Sequence, residues 1–285
     1  MTSTFTPQTP IWCSGCGHFG VETALKRALA ELDIKPHETM LLAGIGCSGT
    51  IQNYVSSYGY HALHGRVLPT ATGVCAANPK LTVIAAGGDG DGYAIGCGHL
   101  IHTLRRNPCM LYIVMNNGTY GLTKGQPSPT AQGRADQEHP VDMIQVGLTI
   151  PGSSFLARGY VGQSEQLDRI MVAALEHVRA RRGFAFVEVI SPCVTFNDIF
   201  PSCGGDLVNV EPDQGYDRGN RTAALMRCAE LNVQGKLATG IIYEGTASTF
   251  EQGYGISEEK SPAHQDISPV ANAQAYDRQV MRYRI

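Results

Sequence analysis

The 285-residue sequence lacks the features of a membrane-bound or secreted protein. No apolar run reaches the roughly 18 residues of a membrane-spanning helix. The N-terminal stretch has neither the basic region nor the apolar core of a signal peptide. The net charge is only −3, which gives no electrostatic reason to expect nucleic-acid binding. We therefore expect a cytoplasmic protein that binds neither membranes nor nucleic acid.

Two common nucleotide-binding motifs are also absent. The sequence contains no Gly-Lys-Ser or Gly-Lys-Thr, which excludes a Walker P-loop. Gly88-x-Gly90 is followed by Tyr93, where a Rossmann fingerprint has its third glycine. What is present is a 43% share of hydrophobic residues, enough for a sizeable core in one large domain with or without extensions.

The most informative stretch predicts a strand, a helix and a second strand. Leu81 to Ala86 is a short apolar run that ends in the glycine-rich segment 87–92. Ala94 to Arg106 is long enough for a helix, and Asn107-Pro108 ends it because the residue before proline avoids helical angles. Leu111 to Met115 is the second apolar run. This order predicts an α/β fold with a doubly wound, mostly parallel sheet.

Oxygen-bearing side chains follow both of these strands. Asp89 comes after the first strand, and Asn117 stands 28 residues later, after the second. Ligands of open α/β sheets bind at the carboxyl ends of strands. Carboxylate and amide oxygens suit Mg²⁺, and glycine-rich turns let backbone N–H groups approach a phosphate. The spacing therefore predicts a Mg²⁺-bridged diphosphate, although a glycine turn capped by Asp89 is the simpler alternative.

Four of the nine cysteines lie where they could meet. Cys13 and Cys16 form a C-x-x-C, while Cys47 and Cys193 each follow a predicted strand. Four thiolates suit a [4Fe–4S] cluster, with tetrahedral zinc or plain burial as the alternatives. Cys203 is the rival of Cys193 for the fourth position.

The remaining chain is predicted more coarsely. A small-residue segment at 70–73 suits close packing on a ligand, Tyr120 to Thr130 is expected to form a loop over the site, and Arg134 to His139 is expected to be exposed. The last ~40 residues are polar and suggest an extended tail that orders on a partner. We expect a binding domain over residues 1–200 and a C-terminal extension over 201–285. Other predicted elements are helices over Val21–Leu32 and from Ser164 to about Arg181, and strands over Met40–Ile45 and Phe184–Ile190.

Six motifs in one order resemble the β subunit of 2-oxoacid:ferredoxin oxidoreductases. The resemblance covers roughly residues 10 to 200 and is less specific beyond. It rests on Trp12-Cys13-Ser14-Gly15-Cys16-Gly17, Ile45-Gly46-Cys47-Ser48, His64-Gly65-Arg66, Gly88-Asp89-Gly90-Asp91-Gly92, Asn116-Asn117 with Tyr120-Gly121-Leu122-Thr123-Lys124-Gly125-Gln126, and Ser191-Pro192-Cys193.

The resemblance implies a sheet of the thiamine diphosphate-binding type and assigns residues to three cofactors. The cluster ligands would be Cys13, Cys16, Cys47 and Cys193. The Mg²⁺ ligands would be Asp89, Asn117 and the Thr119 carbonyl. Thiamine diphosphate would be lined by Ile45, Gly46, Cys47, Ser48, His64, Gly90, Asp91, Gly121 and Leu122, and His64 and Lys124 are the catalytic candidates. The sequence has no C-x-x-C-x-x-C run, so further clusters are not expected.

The resemblance also implies partners. By this resemblance the enzyme would cleave a 2-oxoacid, transfer the acyl group to CoA and pass electrons to ferredoxin. The carboxylate that activates thiamine would come from an α subunit, in a heterodimer or a dimer of heterodimers. The whole-chain pattern favours 2-oxoglutarate over pyruvate. Two alternatives are another thiamine enzyme with structural cysteines and a non-catalytic zinc-binding subunit.

Overall fold

An eight-stranded sheet in the order β2-β1-β3-β4-β8-β7-β10-β9 forms the centre of the molecule. The computed structural model describes residues 7–131, 138–213, 215–266 and 268–283, so most of the predicted exposed segment 134–139 lies outside the described residues. In chain order the described strands are β1 (Thr39–Ala43), β2 (Tyr58–His61), β3 (Thr82–Gly88), β4 (Met110–Asn116), β5 (Thr119–Tyr120), β6 (Gln126–Pro127), β7 (Phe155–Tyr160), β8 (Ala185–Ile190), β9 (Leu207–Asn209) and β10 (Leu237–Glu244).

Helices cover both faces of this sheet, which confirms the predicted doubly wound α/β fold. All of its strand pairs are parallel except β7 with β10. The short strands β5 and β6 form a separate antiparallel ribbon. The described helices are α1 (His18–Glu31), α2 (Val67–Ala77), α3 (Cys97–Arg106), α4 (Met143–Leu148), α5 (Ser164–Arg179), α6 (Phe200–Cys203), α7 (Arg221–Val233), α8 (Phe250–Tyr254) and α9 (Pro269–Arg282).

The two faces hold two separate hydrophobic cores. Successive side chains of a strand point to opposite faces, and β4 is buried along most of its length. Leu111 and Ile113 therefore pack with α1 and α5, whereas Met110 and Val114 pack with α2, α3, α4 and α7. Burial on both faces explains why these strands are continuous apolar runs rather than alternating patterns.

Parallel pairing brings four carboxyl ends to one edge of the sheet. The pairs β1–β3, β3–β4 and β4–β8 are all parallel. The segments that follow these strands, including 44–48, Asp89, Asn117 and 191–193, consequently lie at the same edge. This edge contains the candidate site described below.

Three local predictions are wrong. The helix predicted from Ala94 begins at Cys97, because a π-helical turn over Gly90–Ile95 precedes it, with Gly96 N–H donating to the Asp91 carbonyl at 3.1 Å. The small-residue segment 70–73 is the middle of α2, where Ala71 packs in the core. The last residues are not extended, since α8 and the exposed helix α9 occupy much of them.

The sheet also continues past residue 200, where the C-terminal extension was expected to begin. β10 pairs with β7, and β9 pairs with β10. Tyr216 lies in the loop between β9 and α7, and its hydroxyl donates to the Ile242 carbonyl at 2.5 Å. This hydrogen bond attaches the loop to β10. Residues up to Glu244 therefore belong to the same sheet domain, and the segment outside it is shorter than predicted.

Acid pH is expected to destabilise this fold through His177. Its imidazole is fully buried, and Nε2 lies 2.9 Å from Ser154 Oγ. Burial, with a smaller contribution from Arg182, lowers the pKa of His177 from 6.5 to about 4. His177 therefore binds a proton more readily in the unfolded chain than in the folded chain. Its contribution to the free energy of unfolding is fully present above pH 6.5 and is lost as the pH falls toward 4. We expect a loss of roughly 3 kcal/mol across this window.

Urea unfolding at pH 7 and pH 5 measures this effect, with His177→Gln as the matched variant. Glutamine removes the titrating ring but keeps an amide group near the position of Nε2. We expect the variant to be less stable at pH 7 and less sensitive to acid than the parent. An identical pH dependence in both proteins would contradict the assignment to His177.

Candidate active site

A cavity of about 300 Å³ opens at the carboxyl edge of β1, β3 and β4. It brings together every residue predicted to line thiamine diphosphate or to bind Mg²⁺. Of the two predicted catalytic residues, His64 lines the cavity, whereas Lys124 is exposed and does not line it. The lining comprises His18, Ile45, Gly46, Cys47, Ser48, His64, Gly88, Asp89, Gly90, Asp91, Asn117, Thr119, Tyr120, Gly121, Leu122 and Thr123.

Asp89 is a buried carboxylate without a cationic partner among the described residues. Its side chain is 1% exposed and accepts hydrogen bonds from the hydroxyls of Ser128 and Thr130. Burial raises the pKa of the Asp89 carboxyl above its usual range, although these hydrogen bonds oppose the shift. Burying a charge that no cation among the described residues compensates is unfavourable, so this carboxylate suits a bound cation.

Asn117 and Thr119 lie beside Asp89 after β4. Asn117 Oδ1 accepts a hydrogen bond from the Thr119 amide at 3.0 Å, and both residues are buried. Asn197 Nδ2 donates to the Asn117 carbonyl at 2.8 Å and thereby holds the segment after β4 in place. The residues lining the cavity thus carry amide, carbonyl and carboxylate oxygens, the ligand types that Mg²⁺ prefers.

Ser128 and Thr130 are functional candidates that the sequence pattern did not single out. They belong to the segment predicted as a loop over the site, but their hydroxyls point at the Asp89 carboxylate. Thr130 Oγ1 also lies 2.8 Å from Asn116 Oδ1. The available signal was the pair of hydroxyl residues in the segment Gln-Pro-Ser-Pro-Thr. No local rule, however, connects them with Asp89, which lies 39 and 41 residues earlier in the chain.

Asp91 connects three segments of the site through one oxygen. Its Oδ1 accepts hydrogen bonds from the amides of Ile45 and Gly65, at 3.0 and 2.9 Å. The same oxygen lies 2.8 Å from His64 Nδ1. Asp91 therefore holds the turn after β1 and the 64–65 turn against the π-helical turn, and it fixes the imidazole of His64 at the cavity.

The four predicted cluster cysteines are neighbours at one side of the cavity. A Cβ atom on Gly121 would lie 3.5 Å from Cys47 Sγ and 3.9 Å from Cys193 Sγ. Burial raises the pKa of Cys16 to about 11, and the charges of the other three cysteines add to the shift. Cys203 instead packs in a separate small core with Tyr160 and Ile190. Within the described ranges, no three Cys, His, Asp or Glu side chains surround a point that one metal ion could occupy.

His18 is a second lining residue that the sequence prediction passed over. It is 1% exposed, and its Nδ1 lies 2.5 Å from Ser191 Oγ. Its ring meets that of Trp12 edge-on at 5.5 Å, and Trp12 Nε1 donates to the Cys47 carbonyl at 2.7 Å. Burial lowers the pKa of His18 to about 4, so the ring is neutral at pH 7. Its position two residues after Cys16 of the C-x-x-C motif was the available signal.

The described helices include none with the length and apolarity needed to cross a membrane.

Comparisons with known proteins show the family of this chain. Residues 44–189 match the family model described as thiamine pyrophosphate enzyme, C-terminal TPP binding domain. The 2-oxoacid:ferredoxin oxidoreductase subunit beta of Saccharolobus solfataricus is 37% identical over 90% of this chain and 88% of its own length. The 2-oxoglutarate synthase subunit KorB of Archaeoglobus fulgidus is 36% identical over 67% of this chain and 73% of its own length.

A solved structure is similar over nearly the whole chain. It is the 2-oxoglutarate:ferredoxin oxidoreductase from Magnetococcus marinus with 2-oxoglutarate, coenzyme A and succinyl-CoA bound. The similarity has a TM-score of 0.82 and 35% identity, and it covers 95% of this chain and 93% of that one. With relatives of this identity and coverage, the chain belongs to the family of 2-oxoacid:ferredoxin oxidoreductase β subunits.

Proposed function

We propose that this β subunit carries out the thiamine diphosphate-dependent, CoA-acylating oxidation of 2-oxoglutarate to succinyl-CoA and CO₂, with electrons leaving through a [4Fe–4S] cluster to ferredoxin. The observation that carries the proposal is the position of Asp89 and Asn117 at adjoining strand ends, in a cavity that also contains Cys47. The proposed Mg²⁺ ligands and one of the proposed cluster cysteines therefore line the same cavity.

The residues present fit Mg²⁺ and a diphosphate. Asp89 is a buried carboxylate whose charge no described cation compensates, and Asn117 and the Thr119 carbonyl would supply further oxygens for the ion. The Gly90 backbone and the turn after β1 would approach the diphosphate. When bound, thiamine diphosphate supplies the carbon nucleophile and the electron sink for decarboxylation.

The chain's own side chains prepare this site. Ser128 and Thr130 orient the Asp89 carboxylate. The contact of Nδ1 with Asp91 Oδ1 holds the His64 ring and leaves Nε2 available for contacts in the cavity. We assign His64 to holding or moving a proton near the reacting carbon. Lys124 lies one residue beyond the lining residue Thr123, where its charge would attract an anionic substrate to the cavity mouth.

The cysteine group fits a cluster better than a single zinc ion. Cys13, Cys16, Cys47 and Cys193 influence one another electrostatically, yet the thiols do not converge on one ion-sized point within the described chain. Thiols that each bind a different iron stand further apart than the ligands of one ion. An assay of iron, sulfide, zinc and thiamine on anaerobically purified protein tests this choice, and stoichiometric zinc without iron would overturn it.

An α subunit is expected to complete the active site. Exposed apolar side chains lie in or beside the cavity lining. Leu122, which lines the cavity, is 66% exposed, Leu63 before the lining residue His64 is 78% exposed, and Ile95 beside Gly65 is 52% exposed. The eight-stranded sheet leaves no second unit in the described chain that could hold the other end of the cofactor. We infer that the α subunit covers this surface and supplies the carboxylate that activates thiamine.

The isolated chain is therefore expected to be inactive. Without the α subunit, loss of the activating carboxylate alone should lower turnover by about 10²–10⁴-fold. The measurement is viologen reduction by this chain with 2-oxoacid, CoA, Mg²⁺ and thiamine diphosphate, with and without the α subunit. Full turnover by the isolated chain of verified mass would contradict the half-site proposal.

The substrate assignment is tested on the complete enzyme. It is supported by the names of two similar proteins, one of which holds 2-oxoglutarate and succinyl-CoA. We expect a higher kcat/KM for 2-oxoglutarate than for pyruvate in ferredoxin-coupled turnover. Turnover of pyruvate but not of 2-oxoglutarate would assign the chain to a pyruvate enzyme instead.

A further inference from the structure

Two buried oxygen atoms beneath the cofactor cavity have no hydrogen-bond partner among the described residues. One is Asp91 Oδ2, the carboxylate oxygen that takes no part in holding Ile45, His64 and Gly65. The other is the hydroxyl of Tyr112, a residue of β4 that is fully buried. Leaving such groups unpaired is unfavourable, and an ordered water is a frequent explanation.

Glycines from three segments surround these two oxygens. A Cβ atom on Gly87 would lie 3.0 Å from Asp91 Oδ2 and 3.2 Å from Tyr112 OH, so both oxygens face the same small space. A Cβ on Gly44 would collide with Asp91 Oδ2 at 2.0 Å. A Cβ on Gly92 would collide with Tyr112 OH at 2.3 Å. Glycine at these positions therefore keeps further side-chain atoms out of the space that the two oxygens face beside Gly87, here called the niche.

The two oxygens are chemically complementary to one water molecule. Burial, with the charges of Asp91 and Asp89, raises the pKa of Tyr112 well above its usual value, so its hydroxyl remains a donor. A carboxylate oxygen only accepts. The ring of Tyr112 is fixed by stacking with Phe184 and Phe186, at centroid distances of 6.5 and 6.0 Å. A water in the niche would accept from Tyr112 and donate to Asp91.

We propose that a buried water bridges Tyr112 OH and Asp91 Oδ2, and that Tyr112 is thereby a positioning residue for the cofactor site. The bridge holds the Asp91 carboxylate so that its other oxygen can hold His64 and the turns at 45 and 65. The water itself is independent of the proposed function, whereas its effect on cofactor binding rests on that function.

The first test is a crystal structure at a resolution that shows ordered water. The expected result is one water within about 3.2 Å of both oxygens. A dry niche, or a direct hydrogen bond between Tyr112 and Asp91, would overturn the bridge. This test of the water does not depend on cofactor binding. If the protein proved not to bind thiamine diphosphate, that result would overturn only the proposed function.

The second test is Tyr112→Phe in the enzyme purified with its α subunit. Phenylalanine keeps the stacked ring and removes the donor. We expect the Kd for thiamine diphosphate in Mg²⁺ buffer to rise about tenfold, because losing a residue that orients a binding side chain typically has an effect of this size. The iron content should be unchanged. The matched control is Tyr93→Phe, since Tyr93 is also a buried tyrosine but its hydroxyl bonds to Glu188 at 2.7 Å.

Thermal unfolding of both variants separates positioning from stability. We expect the two substitutions to lower the unfolding temperature by comparable amounts, with the Kd changed only by Tyr112→Phe. An unchanged Kd in Tyr112→Phe, or an equal rise in Tyr93→Phe, would show that Tyr112 does not position Asp91.

Discussion

Asp89→Ala is expected to abolish binding of thiamine diphosphate in Mg²⁺ buffer and to leave the iron–sulfur cluster in place. Asp89 is the charged oxygen ligand proposed for Mg²⁺, and its buried position makes that charge effective. Removing one partner of a buried charge pair costs about 3 kcal/mol or more, which corresponds to a loss of about 100-fold or more in affinity. Titration calorimetry of the anaerobically purified complex measures the affinity, and an iron assay measures the cluster.

The same substitution makes a prediction for the cofactor-free protein. The wild-type carboxylate is buried and is compensated only by hydrogen bonds, from the hydroxyls of Ser128 and Thr130 and from the backbone of Asp89 and Gly90. Its removal should therefore not lower the unfolding temperature of the apo protein, whereas the rise on adding Mg²⁺ and cofactor should disappear. Asp168→Ala is the control, because Asp168 forms a surface ion pair with Arg27. Stoichiometric cofactor in Asp89→Ala would contradict the Mg²⁺ assignment.

Cys193→Ser is expected to remove most of the cluster iron and the activity that depends on it. Cys193 Sγ and Cys47 Sγ both lie within 3.9 Å of the point where a Gly121 Cβ would stand, beside the cofactor cavity. A serine hydroxyl is a poor substitute for a thiolate ligand of iron. The measurements are iron and sulfide content and visible absorption of the protein purified without oxygen.

Cys203→Ser is the matched control for the cluster ligand. Cys203 is only ten residues from Cys193 in the sequence. It is buried beside Tyr160, in a small core separate from the four proposed ligand cysteines. We expect its iron content to equal that of the parent, with a modest loss of stability. Equal iron loss in both variants, or loss only in Cys203→Ser, would exchange the two assignments.

The site could be predicted to the extent that its residues directly follow buried strands. Each of Cys47, Asp89, Asn117 and Cys193 comes shortly after an apolar run, and parallel pairing places such positions at one edge of the sheet. Burial on both faces made these runs continuous and easy to recognise. The mostly parallel doubly wound fold was predictable for the same reason.

Contacts between distant segments were not predictable. The hydroxyls of Ser128 and Thr130 reach Asp89 from a loop whose sequence shows only breaks and polar residues. Asp91 was expected to line the cofactor, but its Oδ1 also holds the turns at 45 and 65. The α2 helix was missed because its small residues and central glycine give little periodic signal.

The sequence by itself determined the strand–turn–helix pattern and which side chains stand at the strand ends, because these depend on neighbours a few residues apart. Only the tertiary structure decided which oxygen of Asp91 is used, which hydroxyls hold Asp89, and that Cys193 rather than Cys203 lies near Cys47. Such choices depend on the packing of segments far apart in the chain, where differences of an ångström separate a hydrogen bond from none.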